Sequence, residues 1–146
     1  MKFCLIIDPN ADEEVIIKAH RPSALTDQIE HLILQHSGMD RIAAYNEDEM
    51  LMLSFEMIAC ITVLEGKTYA IDTRNHKYRL KHRLYELEPL LPSYFIRINK
   101  STLANEKQIE RFVATFSGAV DAVFRCGHRD YVSRRCFSQI KRRYQK

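Results

Sequence analysis

Turn signals recur through this chain at short intervals, and they constrain its fold more than any other feature. Asn46-Glu47-Asp48, Glu65-Gly66-Lys67, Arg74-Asn75-His76, Ser117-Gly118 and Cys126-Gly127 each sit beside runs rich in apolar and β-branched residues. Runs of that length between such breakers read as strands joined by tight turns. Arg41–Tyr45 and Glu49–Phe55 form a predicted hairpin, and Phe55–Val63 is apolar enough for buried strands. Thr68–Asp72 and Lys77–Lys81 continue the pattern, and the turns around Val120–Arg125 predict a meander there. Glu110–Phe116 fits either a helix or a strand by periodicity, and the neighbouring turns favour strand. The expected fold class is α+β, mostly β: antiparallel strands preceded by an N-terminal ββα extension.

The extension comprises Lys2–Asp8 and Glu14–Ala19 as strands, with a turn at Asp8-Pro9-Asn10. Leu25, Ile29, Leu32 and Ile33 then follow helical spacing, so Ser23 to about His36 is an amphipathic helix. Ser23 is its expected N-cap and Gly38 its stop. Residues 1–46 and 47–146 are read as two units. Leu84–Leu91 is a short helix ended by Pro92. A last helix, from Arg134 to Tyr144, turns Phe137, Ile140 and Tyr144 to the body and leaves its other side basic.

At 146 residues the chain can bury a real core, and 28% charged residues suit a folded, soluble protein. Phe3–Ile7 is too short for a secretory segment, and no run approaches the ~18 apolar residues of a membrane span. Cys4, Cys60, Cys126 and Cys136 are widely spaced, which favours reduced thiols and a cytoplasmic protein. The net charge of +3 hides a gradient. Residues 1–56 carry 4 Lys/Arg against 11 Asp/Glu, whereas residues 125–146 carry 8 against 1. Such asymmetry suits a polyanionic partner at the C-terminal end, and equally a solvated basic tail.

Phe95–Asn105 sharpens that choice. It opens as a strand, with Phe95 and Arg97 on one face and Ile96 and Ile98 on the other. It then breaks into Asn99-Lys100-Ser101-Thr102, a cation with hydroxyls and an amide beside it, groups suited to phosphates and base edges. The bland reading makes Ser101 the cap of Thr102–Lys107. Arg97 can brace the strand or position a phosphate. Arg134 and Arg135 begin a predicted helix, where the dipole disfavours cations, so an anionic partner accounts for them better than stability does. Lys77, Arg79 and Lys81 share a strand face, read as solvated and as a charged edge that deters aggregation. Arg142 and Arg143 add phosphate affinity or solvate the terminus.

From about Leu53 to Tyr144 the chain resembles the LytTR family of bacterial DNA-binding domains. Tyr85-Glu86-Leu87-Glu88 with Leu91-Pro92, Phe95 to Ser101 with Leu103-Ala104-Asn105, and Tyr131-Val132-Ser133-Arg134-Arg135 are similar to three family motifs, in family order. The resemblance implies an elongated antiparallel β fold that sets loops, not a recognition helix, into successive major grooves. It implies base or phosphate contact by Lys100, a phosphate contact by Ser101, base reading by Arg135, and a third contacting loop at Lys67 and Thr68. Thr62 departs from the glutamate that usually ends the first family strand, and Ala104 from the commoner valine. Residues 1–46 are too short for the receiver domain many relatives carry, so Asp8 is not read as a phosphoacceptor. The expected partner is double-stranded DNA, bound by a homodimer whose contact lies in residues 1–46, with a regulatory protein partner left open.

Two other readings compete. An RNA-binding module could use a basic sheet, though the base-stacking aromatic pattern is missing and there is no Trp. A non-DNA interaction protein could use the acidic N-terminal unit instead. For an enzyme, Cys126, His128, Asp130 and Cys136 match neither zinc-ligand spacing nor a protease signature. His128-Arg129-Asp130 stands without the other motifs of a kinase. No catalytic residue, metal or cofactor is expected.

Overall fold

The computed structural model describes residues 1–37 and 40–144. Its centre is β3 (Ile58–Leu64), buried through most of its length and accordingly almost continuously apolar. β3 pairs antiparallel with β4 (Lys67–Asp72) on one side and with β7 (Thr102–Asn105) on the other. β5 (Lys77–Leu80) follows β4. Beyond it lie β1 (Arg41–Asn46) and β2 (Glu49–Ser54), and β6 (Phe95–Asn99) pairs with β7, giving the order β2-β1-β5-β4-β3-β7-β6. A second antiparallel sheet has the order β10-β9-β8, from β8 (Ile109–Ala114), β9 (Val120–Phe124) and β10 (Arg129–Val132).

The large sheet carries a core cluster on each face. On the first, Ala44, Leu53, Ile61, Ala70, Leu80 and Leu103 pack with Leu84 and Leu87 of the four-residue helix α2 (Leu84–Leu87). On the second, Cys60, Ile71, Ile98 and Ala104 meet Ala122 and Phe124 of β9, Val132 of β10 and Ile140 of α3 (Arg134–Tyr144). The small sheet with α3 thus covers the β3–β7–β6 side of that second face. The α+β, mostly β class and the antiparallel sheet are observed as expected.

Several local expectations change. Residues 1–23 contain no strand: Lys2–Asp8 and Glu14–Ala19 stay irregular and exposed, so the ββα extension reduces to one helix, α1 (Ala24–Ser37). β propensity reflects fit to a half-buried pleated surface, and these segments have no sheet to join. The Asp8 turn does form, with Asn10 N–H donating to Asp8 Oδ1 at 3.0 Å. Ser23 caps α1 as predicted: its Oγ accepts from Thr26 N–H at 3.3 Å, while its own N–H donates to Thr26 Oγ1 at 2.8 Å. The stop expected at Gly38 lies outside the described residues. Leu25, Leu32 and Ile33 are exposed, so the apolar face of α1 has little cover.

β1 lies in the large sheet, paired with both β2 and β5. The division at 46/47 therefore falls inside a hairpin turn. β5 is interior, so its charges do not guard a sheet edge. Leu84–Leu91 splits into α2 and a 3-10 turn at Glu88–Leu90. Tyr144 is largely exposed, leaving Phe137 and Ile140 to seat α3, with Phe137 against Phe112 at 5.7 Å between ring centres.

Candidate nucleic-acid interface

Three connections meet at one end of the sheets. The β3–β4 hairpin turns through Glu65 and Gly66, both at positive φ (52° and 76°), the twist a two-residue turn needs. It delivers Lys67, exposed at the start of β4. The β6–β7 hairpin turns through Lys100 and Ser101 at the neighbouring position, because Thr62 of β3 pairs with Thr102 of β7. Val63 N–H donates to the Ser101 carbonyl at 2.9 Å, which joins the two turns directly. The third connection runs from β10 into α3, and Ser133 N–H donates to the Ile98 carbonyl of β6 at 2.8 Å.

A buried polar network fixes these connections to one another. Asp130 Oδ2 accepts from Thr102 Oγ1 at 2.7 Å. A hydroxyl has one proton to give, so Thr62 Oγ1 must be the donor in its 2.8 Å bond to Thr102 Oγ1. Asp130 Oδ1 accepts from Tyr131 N–H at 2.8 Å and from Asn99 Nδ2 at 3.3 Å. Asn99 Nδ2 also donates to the Tyr131 carbonyl at 2.8 Å, and Asn99 Oδ1 accepts from Ser101 N–H at 2.8 Å. Asn99 and Thr102 are each 1% exposed. Of the polar group Asn99-Lys100-Ser101-Thr102, the outer two face inward and carry the loop. Lys100 is exposed and Ser101 half-buried. Thr62, which departs from the family glutamate, supplies the first donor of this chain of bonds.

Arg97 belongs to the support. Its guanidinium grips Glu88 through Nη2–Oε2 at 2.6 Å and Nε–Oε1 at 3.3 Å, and its Nη1 donates to the Lys100 carbonyl at 2.9 Å. The Arg97–Glu88 hydrogen bonding holds the Glu88 carboxyl below the usual range and the guanidinium above its own. Arg97 thus braces the loop from the α2 side. Ser101 does not cap Thr102–Lys107, because Thr102–Asn105 is strand; Asn105 caps the next 3-10 turn, its Oδ1 accepting from Lys107 N–H at 3.0 Å.

Arg134 and Arg135 are the first two residues of α3 and both are exposed. Ser133 caps that helix, its carbonyl accepting from Phe137 N–H at 2.8 Å and its Oγ from Cys136 N–H at 3.2 Å. Among the described residues neither arginine enters an ion pair. Two cations at the positive end of a helix dipole without a carboxylate lower the stability of that helix. Thr68 is a correction: at 6% exposure it belongs to the covered first face, and its side chain is not offered to a ligand. Lys67, Lys100, Ser101, Arg134 and Arg135 are brought to one end.

Asp130 is the functional support that sequence reasoning missed. It lies 28 residues from Thr102, and nothing in either local pattern announces the pairing. The neighbouring His128 is held below its usual value by burial, with Asp130 pulling weakly the other way, and its ring lies 5.6 Å from that of Phe124. Cys60 is buried, which raises its thiol pKa; all four cysteines are free.

Comparison with known proteins agrees with this geometry. The family model described as the LytTr DNA-binding domain matches residues 48–145. An uncharacterised HTH-type transcriptional regulator of Staphylococcus aureus (strain bovine RF122 / ET3-1) is 34% identical over 98% of this chain and 97% of its own length. A regulator of the same description from strain NCTC 8325 / PS 47 is 33% identical over the same shares. A solved LytTr DNA-binding domain from Bacillus cereus superposes with a TM-score of 0.66, at 21% identity, over 73% of this chain and 98% of its own. On the family match and the full-length similarity together, this chain belongs to the LytTR DNA-binding domain family.

Proposed function

We propose that this protein is a DNA-binding transcription regulator that reads duplex DNA with loops. The observation that carries the reading is the joining of Lys100 and Arg135 through Asn99, Asp130 and Ser133: two exposed cations from distant parts of the chain held on a shared, hydrogen-bonded base. In this reading Arg135 makes a bidentate contact to a guanine edge, Arg134 and Lys67 bind phosphates, and Lys100 and Ser101 place the loop against the backbone or a base edge. The relatives carry an HTH-type description. Among the described residues, strands stand between α1, α2 and α3 in the chain, which supports reading by the turns and the start of α3 over a paired-helix motif.

Duplexes selected by the pure protein from random-sequence DNA, compared with scrambled versions, test the reading. Preference for the selected duplex at moderate salt supports it, and equal affinity for the scrambled duplex contradicts it. Single-stranded RNA that competes better than DNA would transfer the site to RNA. We further propose that the protein works in the cytoplasm as a homodimer joined through residues 1–37. There Phe3, Ile6 and Ile7 are at least 80% exposed and Val15 and Ile16 are also uncovered. No helix among the described residues is long and apolar enough to cross a membrane.

A further inference from the structure

We propose that the part of the large sheet's second face left uncovered by the small sheet is an additional, sequence-independent DNA-backbone site, built from Lys67, Lys77, Arg79 and Lys81 over Tyr69 and Tyr45. This rests on the DNA-binding reading above and extends its footprint past the three connections.

The register places these groups together. Tyr69 of β4 stands opposite Arg79 of β5, and Arg79 opposite Tyr45 of β1. Thr68 pairs with Leu80 at the end of that ladder, and Lys67 and Lys81 are the residues next to this pair along the chain. Alternation puts Lys67, Tyr69, Lys77 and Arg79 on the same face as Ile71, whose side chain is part of the second core. Lys77 Nζ lies 4.8 Å from the Tyr69 ring centre, Arg79 Cζ 6.0 Å from the same ring, and Lys81 Nζ 4.6 Å from the Tyr45 ring centre. The rings hold the cations over the sheet, where freely solvated side chains would spread apart.

Three observations distinguish this face from an ordinary solvated one. None of the four cations joins an ion pair among the described residues. Like charges gathered on one face repel one another, and an anion would relieve that repulsion. The explanation open to an edge strand, protection against pairing with another chain, does not apply to β5, which lies between β1 and β4. Finally, Lys67 belongs both to this face and to the β3–β4 turn, so the cations continue from the proposed contact end without a break. A polyphosphate backbone is the complementary partner. At ~3.3 Å per residue, Lys77 to Lys81 spans roughly 13 Å, about four base-pair steps of 3.4 Å.

The test uses the full chain with Lys77→Gln, Arg79→Gln and Lys81→Gln combined, beside a Lys77→Arg/Lys81→Arg variant that keeps the charge. Affinity is measured against salt on a selected duplex with long flanks and on its scrambled version, with thermal melts as a fold control. The Gln variant should lose affinity equally for both duplexes and show a log K against log salt slope shallower by about 2 to 3, at ~0.9 per phosphate released. The Arg variant should keep the parent slope. An unchanged slope in the Gln variant would show the face is only solvated, and a loss confined to the selected duplex would make it a base-reading surface; either overturns the proposal. If the parent protein itself shows no preference for the selected duplex, the DNA reading fails first, and that outcome is separate from these.

Discussion

Asp130 is the residue on which the loop geometry turns. It satisfies Thr102, Asn99 and the Tyr131 amide at once. Asp130→Ala leaves those donors short of partners and should cost ~1–3 kcal/mol in a denaturant melt. Its effect on binding has an informative sign. Removing an anion beside a basic site should strengthen DNA binding if only long-range charge matters, whereas a positioning role predicts weaker binding and lost discrimination. Glu88 gives a second residue-level expectation. Its carboxyl is held low by Arg97, so the stabilisation it lends is present above the ordinary carboxylate range and fades as pH falls through its lowered value. Glu88→Gln should therefore melt lower than the parent at neutral pH, with the gap closing in acid. At this scale the exposure of Lys67, Lys100 and Arg135 was legible, because charged side chains beside turn residues stay in water. The inward roles of Asn99 and Thr102 were not. Their partner comes from another sheet, and a polar residue in a strand reads the same whether it faces water or a half-buried carboxylate.

Among the elements, α3 opens with two arginines at the end of the dipole that disfavours them. Arg134→Glu or Arg135→Glu should relieve the dipole conflict and raise helix stability by ~0.3–1 kcal/mol, read as a higher melting temperature, while sharply weakening DNA binding. A drop in both would mean that the arginines are structural. Ser133→Ala should act oppositely, costing ~0.5–2 kcal/mol through the lost cap. The strands with clean apolar runs, β3, β4 and β9, could be read from sequence. β7 and β10, four residues each and partly polar, could not, since their strand character comes from the neighbours they pair with. Lys2–Asp8 and Glu14–Ala19 failed in the opposite sense: strong β-branched content with no neighbour.

Over the whole molecule, acidic and basic charge separate, residues 1–56 against residues 125–146, with the proposed contact end in the basic half. The full-length similarity to the Staphylococcus aureus regulators includes residues that precede the family match at 48. Ile6→Ser with Ile16→Ser in the full chain should convert a dimer to a monomer by light scattering if residues 1–37 carry the contact; an unchanged mass would place it elsewhere. A truncation meant to keep the sheet must begin before Arg41, because β1 is one of its strands. The central claim, that exposed cations at the turns and at the start of α3 read duplex sequence, is tested most directly by Arg135→Ala on the selected and scrambled duplexes. A fall in discrimination of ~1–3 kcal/mol, with the fold intact, is predicted. Undiminished discrimination would contradict it.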